Sequence, residues 1–207
     1  MEQSKFLPKH LLLVAFPAIA AFIGGAITSD SLASFMTVSG SNGISTAQFY
    51  LGISIIVGLL AFGWKCLSST YMAALALLVS LLSSVAMRSM LGFKSSLFVL
   101  FFLNFALVVI MALVIKLTFQ IGLMARIRTA AFAAIGALAN TGYLIVFHKL
   151  INHNAMQYSL SATYMSSIFM FIFIGFGLSV ANIIIVKQEV EALRKEQQRL
   201  EEEEDDI

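Results

Sequence analysis

Residues 163–207 read TYMSSIFMFIFIGFGLSVANIIIVKQEVEALRKEQQRLEEEEDDI, an apolar run that ends as a block of acid. Thr163 to Val186 gives 24 residues without a charge. As a helix that is enough to cross about 30 Å of hydrocarbon. Neither Gly nor Pro marks the passage into KQEVEALRK, so one helix is expected to leave the membrane and continue into water. The chain then divides into a membrane part, residues 1–186, and a charged cytoplasmic helical tail, residues 187–207.

Composition puts the rest of the chain in lipid as well. Of 207 residues, 59% are apolar and 12% charged, whereas about a quarter are charged in soluble proteins. Six windows are apolar for long enough, or nearly so, to span a bilayer: 10–27, 46–64, 67–87, 96–115, 129–147 and 163–186. The expected fold is all-α, a polytopic transmembrane bundle of about six spans. Only Gly63 to Leu67 separates the second window from the third, so this pair forms either a tight hairpin or a broken, re-entrant element, and four or five spans stay open. Lys5 and Lys9 ahead of Leu11 to Ile23, followed by Gly24, Gly25 and Ala26, have the outline of a secretory signal; an uncleaved first span is the expectation.

Charge sets the orientation. Residues 1–186 carry nine basic and two acidic side chains, and residues 187–207 carry four and nine. On the six-span count one face collects Lys5, Lys9, Lys65, Lys116, Arg126, Arg128, Lys187, Arg194, Lys195 and Arg199, and the other only Arg88, Lys94 and Lys149. The basic excess predicts that both termini are cytoplasmic, and compactness with the absence of sorting signals points to a bacterial inner membrane. The loop Thr28 to Gln48, with its Ser-Gly-Ser-Asn-Gly run at 39–43, then reads as an outer cap. Between Lys116 and Arg128 the stretch LTFQIGLMARI either extends the fourth helix or lies flat at the interface, with Arg126 and Arg128 at lipid headgroups.

The spans hold little chemistry. Proton-coupled carriers place a carboxylate or histidine inside the bilayer; Asp30 falls at a mouth, and His10, His148 and His153 fall at span ends or in a loop. No H-E-x-x-H, paired aspartates or Gly-rich phosphate loop occurs, and the single cysteine, Cys66, has no partner for a disulfide within the chain. Thr141-Gly142-Tyr143 lacks the second glycine of a potassium filter and falls in a span. Neither an enzyme nor a cofactor or metal is expected.

Three spans each carry one amide: Asn104, Asn140 and Asn182. Amides in hydrocarbon must hydrogen-bond another helix or face water, so the three either glue helices together or line a pore. Small residues recur every four places at Thr129, Ala133, Ala137 and Thr141, and Gly175 and Ser179 precede Asn182 on one face. Ala133, Ala137, Gly175 and Ser179 are therefore expected to pack one copy on another. Phe98, Phe101, Phe102 and Phe105 form an aromatic stripe that leaves Asn104 on the opposite, protein-facing side.

In the tail Val186, Val190, Leu193, Gln197, Leu200, Glu204 and Ile207 alternate by four and three, the seam spacing of a coiled coil. Glu191 to Lys195 and Arg199 to Glu203 are favourable i,i+4 pairs. From Glu201 through Glu202, Glu203, Glu204 and Asp205 to Asp206 six acids follow one another. Such a run either stays solvated or meets a basic partner, and it repels nucleic acid. The seam, with Val190, Leu193, Arg194 and Leu200, is expected to gather copies of the chain, and the acids to dock a cytoplasmic protein.

In size, apolar bundle and charged cytoplasmic end, with EVEALRKEQQRLEEEEDDI at 189–207 the most distinctive part, the chain resembles the membrane subunit of the bacterial Kiwa anti-phage system. The resemblance is one of layout, so no residue role transfers. It implies four spans, where hydropathy gives six. It also implies a homo-oligomeric inner-membrane sensor that detects phage attack and holds a DNA-binding cytoplasmic partner. The reading from residues alone is a non-enzymatic sensor or scaffold of that kind, with a small channel lined by the amides, or a holin-like lesion former, as the alternatives.

Overall fold

The computed structural model describes residues 8–27, 46–90, 96–120, 125–147, 149 and 160–205. Of the loop Thr28 to Gln48 read as an outer cap, 28–45 lies outside the described residues, as does Asp206, and Thr46 to Gln48 are helical. The rest is helix: a 3₁₀ turn, Pro8–Leu11, leads into α1 (Leu12–Ile27), followed by α2 (Thr46–Cys66), α3 (Ser69–Met90), α4 (Leu97–Ile115), α5 (Ala125–Phe147) and α6 (Leu160–Asp205). The six hydropathy windows are six helices. Five are long and apolar enough to cross a membrane, while the apolar part of α2, Tyr50–Cys66, is shorter. The fold is an all-α bundle, and its composition is that of a membrane protein.

The windows separated by Gly63 to Leu67 form a tight hairpin and not a broken pair. Leu67 N–H donates to Gly63 carbonyl at 2.8 Å, and Met72 N–H to Ser68 carbonyl at 2.9 Å, so α3 starts as soon as α2 stops. Gly63 leaves room there for the Met72 and Leu75 side chains, which a Cβ would meet at 2.7 and 2.6 Å. After α4 the chain continues as a π-helical turn, Lys116–Gln120, so this part of LTFQIGLMARI extends the fourth helix. Ile127 and Arg128 already belong to α5.

In the packing, α1 lies between α2 and α6, α5 packs on α6, and α4 links α5 back to α2. Helix α3 stands outside this ring against α4 and α2, with Leu77, Leu78, Leu81, Leu82 and Val85 exposed. That outer row has the composition lipid requires. The aromatic stripe on α4 behaves alike at Phe98 and Phe102, which are exposed, while Asn104 is 4% exposed.

Two glycines bring backbones together around α1. Pro17 lies inside α1 and has no N–H, so the Leu13 carbonyl four residues earlier loses its helical donor. A Cβ at Gly58 of α2 would stand 2.8 Å from that same Leu13 oxygen. Glycine instead presents a Cα–H to the freed carbonyl, a weak but favourable contact. On the other side, a Cβ at Gly177 of α6 would lie 2.6 Å from Pro17 Cα and 2.7 Å from Phe16 oxygen. Backbone atoms cannot swing aside as a flexible side chain can.

Gly58→Val and Gly177→Val are therefore expected to lower stability in detergent by about 1–3 kcal/mol, the usual cost of overpacking. Gly142→Ala, where a Cβ meets nothing within 4 Å, serves as the control and changes stability by less than about 1 kcal/mol. Thermal melting followed by size-exclusion chromatography reads both.

Candidate functional site: a polar level and a charged base

Asn104 joins three helices. Its Nδ2 donates to Ser84 Oγ of α3 at 2.9 Å, and its Oδ1 accepts from Tyr143 OH of α5 at 2.6 Å. Ser84 passes its own proton to the Ser80 carbonyl at 2.6 Å, so every polar atom in the chain of bonds has a use. Asn140, 2% exposed, donates to Ser167 Oγ of α6 at 2.9 Å. One residue from Ser167, the Ser166 carbonyl accepts from Tyr50 OH of α2 at 3.2 Å. These contacts lie at one level, within about two helical turns of the same ends of α2 to α6. The level crosses the bundle from side to side. Within it Asn140 Oδ1 and Thr141 Oγ1 are buried without a hydrogen-bond partner among the described residues; buried polar atoms of this kind are commonly met by internal water.

Asn182 does not join them. It sits 15 residues beyond Ser167, roughly 22 Å farther along α6 at 1.5 Å per residue, is half-buried, and has no hydrogen bond among the described residues. The three amides therefore do not form one ring. Asn104 and Asn140 fasten neighbouring helices, and Asn182 stands near the opposite end of the bundle.

The small residues also act inside the chain. Phe171 of α6 fills the space left by Gly136, where a Cβ would be 2.7 Å from its ring, and Phe132 of α5 fills that left by Gly175. The two rings meet edge to face at 5.7 Å. Thr129 Oγ1 and Ser179 Oγ are 2.9 Å apart, and Ala133 and Ala137 are buried. Within one chain, the close approach that the spacing of Ala133, Ala137, Gly175 and Ser179 predicts is made between α5 and α6. Small-residue spacing signals close approach of helices but does not say whose helices approach.

The opposite end of the bundle carries charge. Glu189 on α6 gathers Lys9 Nζ at 3.5 Å, His10 Nε2 at 3.6 Å and Lys65 Nζ at 3.7 Å. One carboxylate thereby ties α6 to the start of α1 and the end of α2. Beside it the Trp64 indole N–H donates to the Ala112 carbonyl at 2.9 Å, and Lys116 lies over the Trp64 ring at 5.0 Å. Arg128 lies over Phe119 at 5.3 Å. Cations that are scattered through the sequence thus meet at one end. The packed bundle reaches Glu189, three residues past the Val186 boundary drawn from hydropathy.

Burial of Glu189 works against its charge, but Lys65 and Lys9, with the His10 imidazole alongside, outweigh it and hold the carboxyl below its ordinary value. Sequence reading passed over Glu189 as one acid among nine in the tail. The available signal was its place: it is the first acid after the last span, at the level where Lys9 and Lys65 end theirs.

Beyond Glu189 the helix runs free. Residues 190–201 are exposed, with Val190 at 43%, Leu193 at 60% and Leu200 at 59%. Arg194 and Glu201 are exposed with them, and the backbone stays helical through Glu202, Glu203 and Glu204 to Asp205.

Comparison with protein-family models, curated proteins and solved structures found no match to this chain. Fold and composition define the class: an all-helical integral membrane protein with one long helix projecting from the bundle.

Two outcomes follow from the polar contacts. Asn104→Leu destabilises the bundle by about 0.6–1.7 kcal/mol, and a double-mutant cycle with Tyr143→Phe returns a coupling near 0.6 kcal/mol, the range of intramembrane hydrogen bonds. For Glu189 the folded carboxyl titrates below the unfolded one, so its stabilisation is complete above about pH 4.3 and is lost as pH falls through the folded value. A spin label at Leu193 is expected to gain mobility over that acidic window, and the Glu189→Gln protein to show the loosened spectrum already at pH 7.

Proposed function

We propose that this chain is a non-enzymatic membrane scaffold or sensor that assembles with copies of itself and docks a basic cytoplasmic protein through its acidic tail. The observation that carries the reading is α6, one helix of 46 residues running from the bundle into a charged end that is exposed from Val190 to Glu201. A tail that served only solubility would need no continuous helix. A rigid one transmits tilt or rotation of the bundle to whatever it holds. The cations at the Glu189 end favour that end as the cytoplasmic one, by the excess of Lys and Arg in short loops. The proposal accordingly has both termini in the cytoplasm, with the bundle in a bacterial inner membrane.

The layout shared with the Kiwa membrane subunit points the same way, and defence against phage is the process we assign to it. A channel lined by Asn104, Asn140 and Asn182 has less support, because the polar contacts cross the bundle and Asn182 lies far from the other two.

The test compares the full chain with one ending at Leu200, each extracted from host membranes expressing the neighbouring genes and weighed by native mass spectrometry. The shorter chain keeps Glu189 and the seam from Val186 to Leu200 and loses the six acids with Ile207. A soluble protein bound to the full chain is expected to fall by about ten-fold on truncation and to be released by salt, as charge-steered docking requires. A partner that binds both chains equally, or no partner on either, overturns the docking role.

A further inference from the structure

The face of α6 that meets α5 does not stop where α5 stops. In the bundle this face is Ser167, Phe171, Gly175 and Ser179, covered by Asn140, Phe132, Gly136 and Thr129. Helix α5 begins at Ala125, one turn from Thr129, so its cover ends about one turn past Ser179. The same face continues through Val186 into Val190, Leu193, Gln197 and Leu200, all exposed. Glu189 fixes the rotation of α6 at that point, because its carboxylate is held by Lys9 and Lys65.

Resting on the self-assembly reading above, we propose that this face is covered by the same face of a second copy, in a parallel two-stranded coiled coil over Val186–Leu200. With Val190 and Gln197 at a and Val186, Leu193 and Leu200 at d, the pattern is that of parallel dimers: a β-branched residue at a, leucine at d, and one polar residue at a to fix the register. Copies inserted the same way round in one membrane can meet only in parallel.

The flanking charges agree with this pairing and with where it ends. Glu189 at g faces Arg194 at e of the second strand, an attractive pair. The next such pair, Glu196 with Glu201, is repulsive, and Glu204 occupies the following a position. The coil therefore closes down to Leu200 and opens at the acids, leaving two acidic arms side by side. Two heptads are too few to associate in free solution, where three or four are wanted. Confinement of both bundles to one membrane supplies the missing effective concentration.

Single cysteines test this in the Cys66→Ser protein, in native membranes, with a short bis-maleimide. Val190→Cys, Leu193→Cys and Leu200→Cys lie on the seam; Ala192→Cys, Lys195→Cys and Gln198→Cys are equally exposed and lie off it. Cross-linked dimer is expected to be about five-fold more abundant at the seam positions, and single-molecule photobleaching to count two copies per particle. Equal yields at all six positions, or a maximum off the seam, overturn the coil, and three or more copies per particle overturn its two-stranded form. A chain that retains its soluble partner without seam cross-links sinks this inference alone; one that cross-links along the seam without a partner supports it and sinks the docking role instead.

Discussion

Hydrocarbon supplies no hydrogen bonds, and the placement of the buried polar groups among the described residues follows from that. Hydroxyls and amides inside the bundle meet one another across helix boundaries: Asn104 with Ser84 and Tyr143, Asn140 with Ser167, Thr129 with Ser179. Each bond is worth little by itself, because an unfolded segment in lipid also finds partners. Their effect is on specificity. A neighbour shifted by a turn would leave a donor and an acceptor unpaired in a medium that cannot replace them, so the contacts select which helix faces which.

Close packing then does what hydrophobic burial does in water. Lipid tails are as apolar as leucine, so attraction between helices depends on how near their surfaces come. Gly58 and Gly177 let α1 touch two neighbours at backbone distance, and Gly136 and Gly175 let two phenylalanines interlock between α5 and α6. Helix α1 is short and broken in its hydrogen bonding by Pro17, yet it sits at the centre of these approaches. At its start Lys9 and His10 reach Glu189, so α1 is held along its length by shape and at its N-terminal end by the Glu189 carboxylate.

The part of this that could be read from sequence is the part governed by local rules. Six apolar windows became six helices because length and hydropathy decide what can sit in lipid, and the polar face of α4 was visible because four phenylalanines occupied the other. Asn104 and Asn140 could be picked out as costly residues, but Ser84, Tyr143 and Ser167 could not be picked as their partners among so many hydroxyls. The same limit explains Ala133, Ala137, Gly175 and Ser179. Their spacing required a close neighbour, and pairing within one chain satisfies that requirement as well as pairing between two. Glu189 was hidden for a different reason: in a tail with nine acids, its distinction is positional and depends on Lys9 and Lys65, residues far away in sequence.

That position is what couples the two halves of the molecule. A helix leaving a bilayer is free to rotate and bend where its packing ends, and a tail joined at such a point reports nothing about the bundle above it. Here the Glu189 carboxylate is held by Lys9, just ahead of α1, and by Lys65, at the end of α2, beyond Ile185, the last buried apolar residue among those described. The apolar positions that follow, Val190, Leu193 and Leu200, therefore point in a direction set by the bundle. Under the proposed sensor role, the charged end carries a state of the membrane part outward over roughly 22 Å, the 15 residues from Val190 to Glu204 at 1.5 Å each.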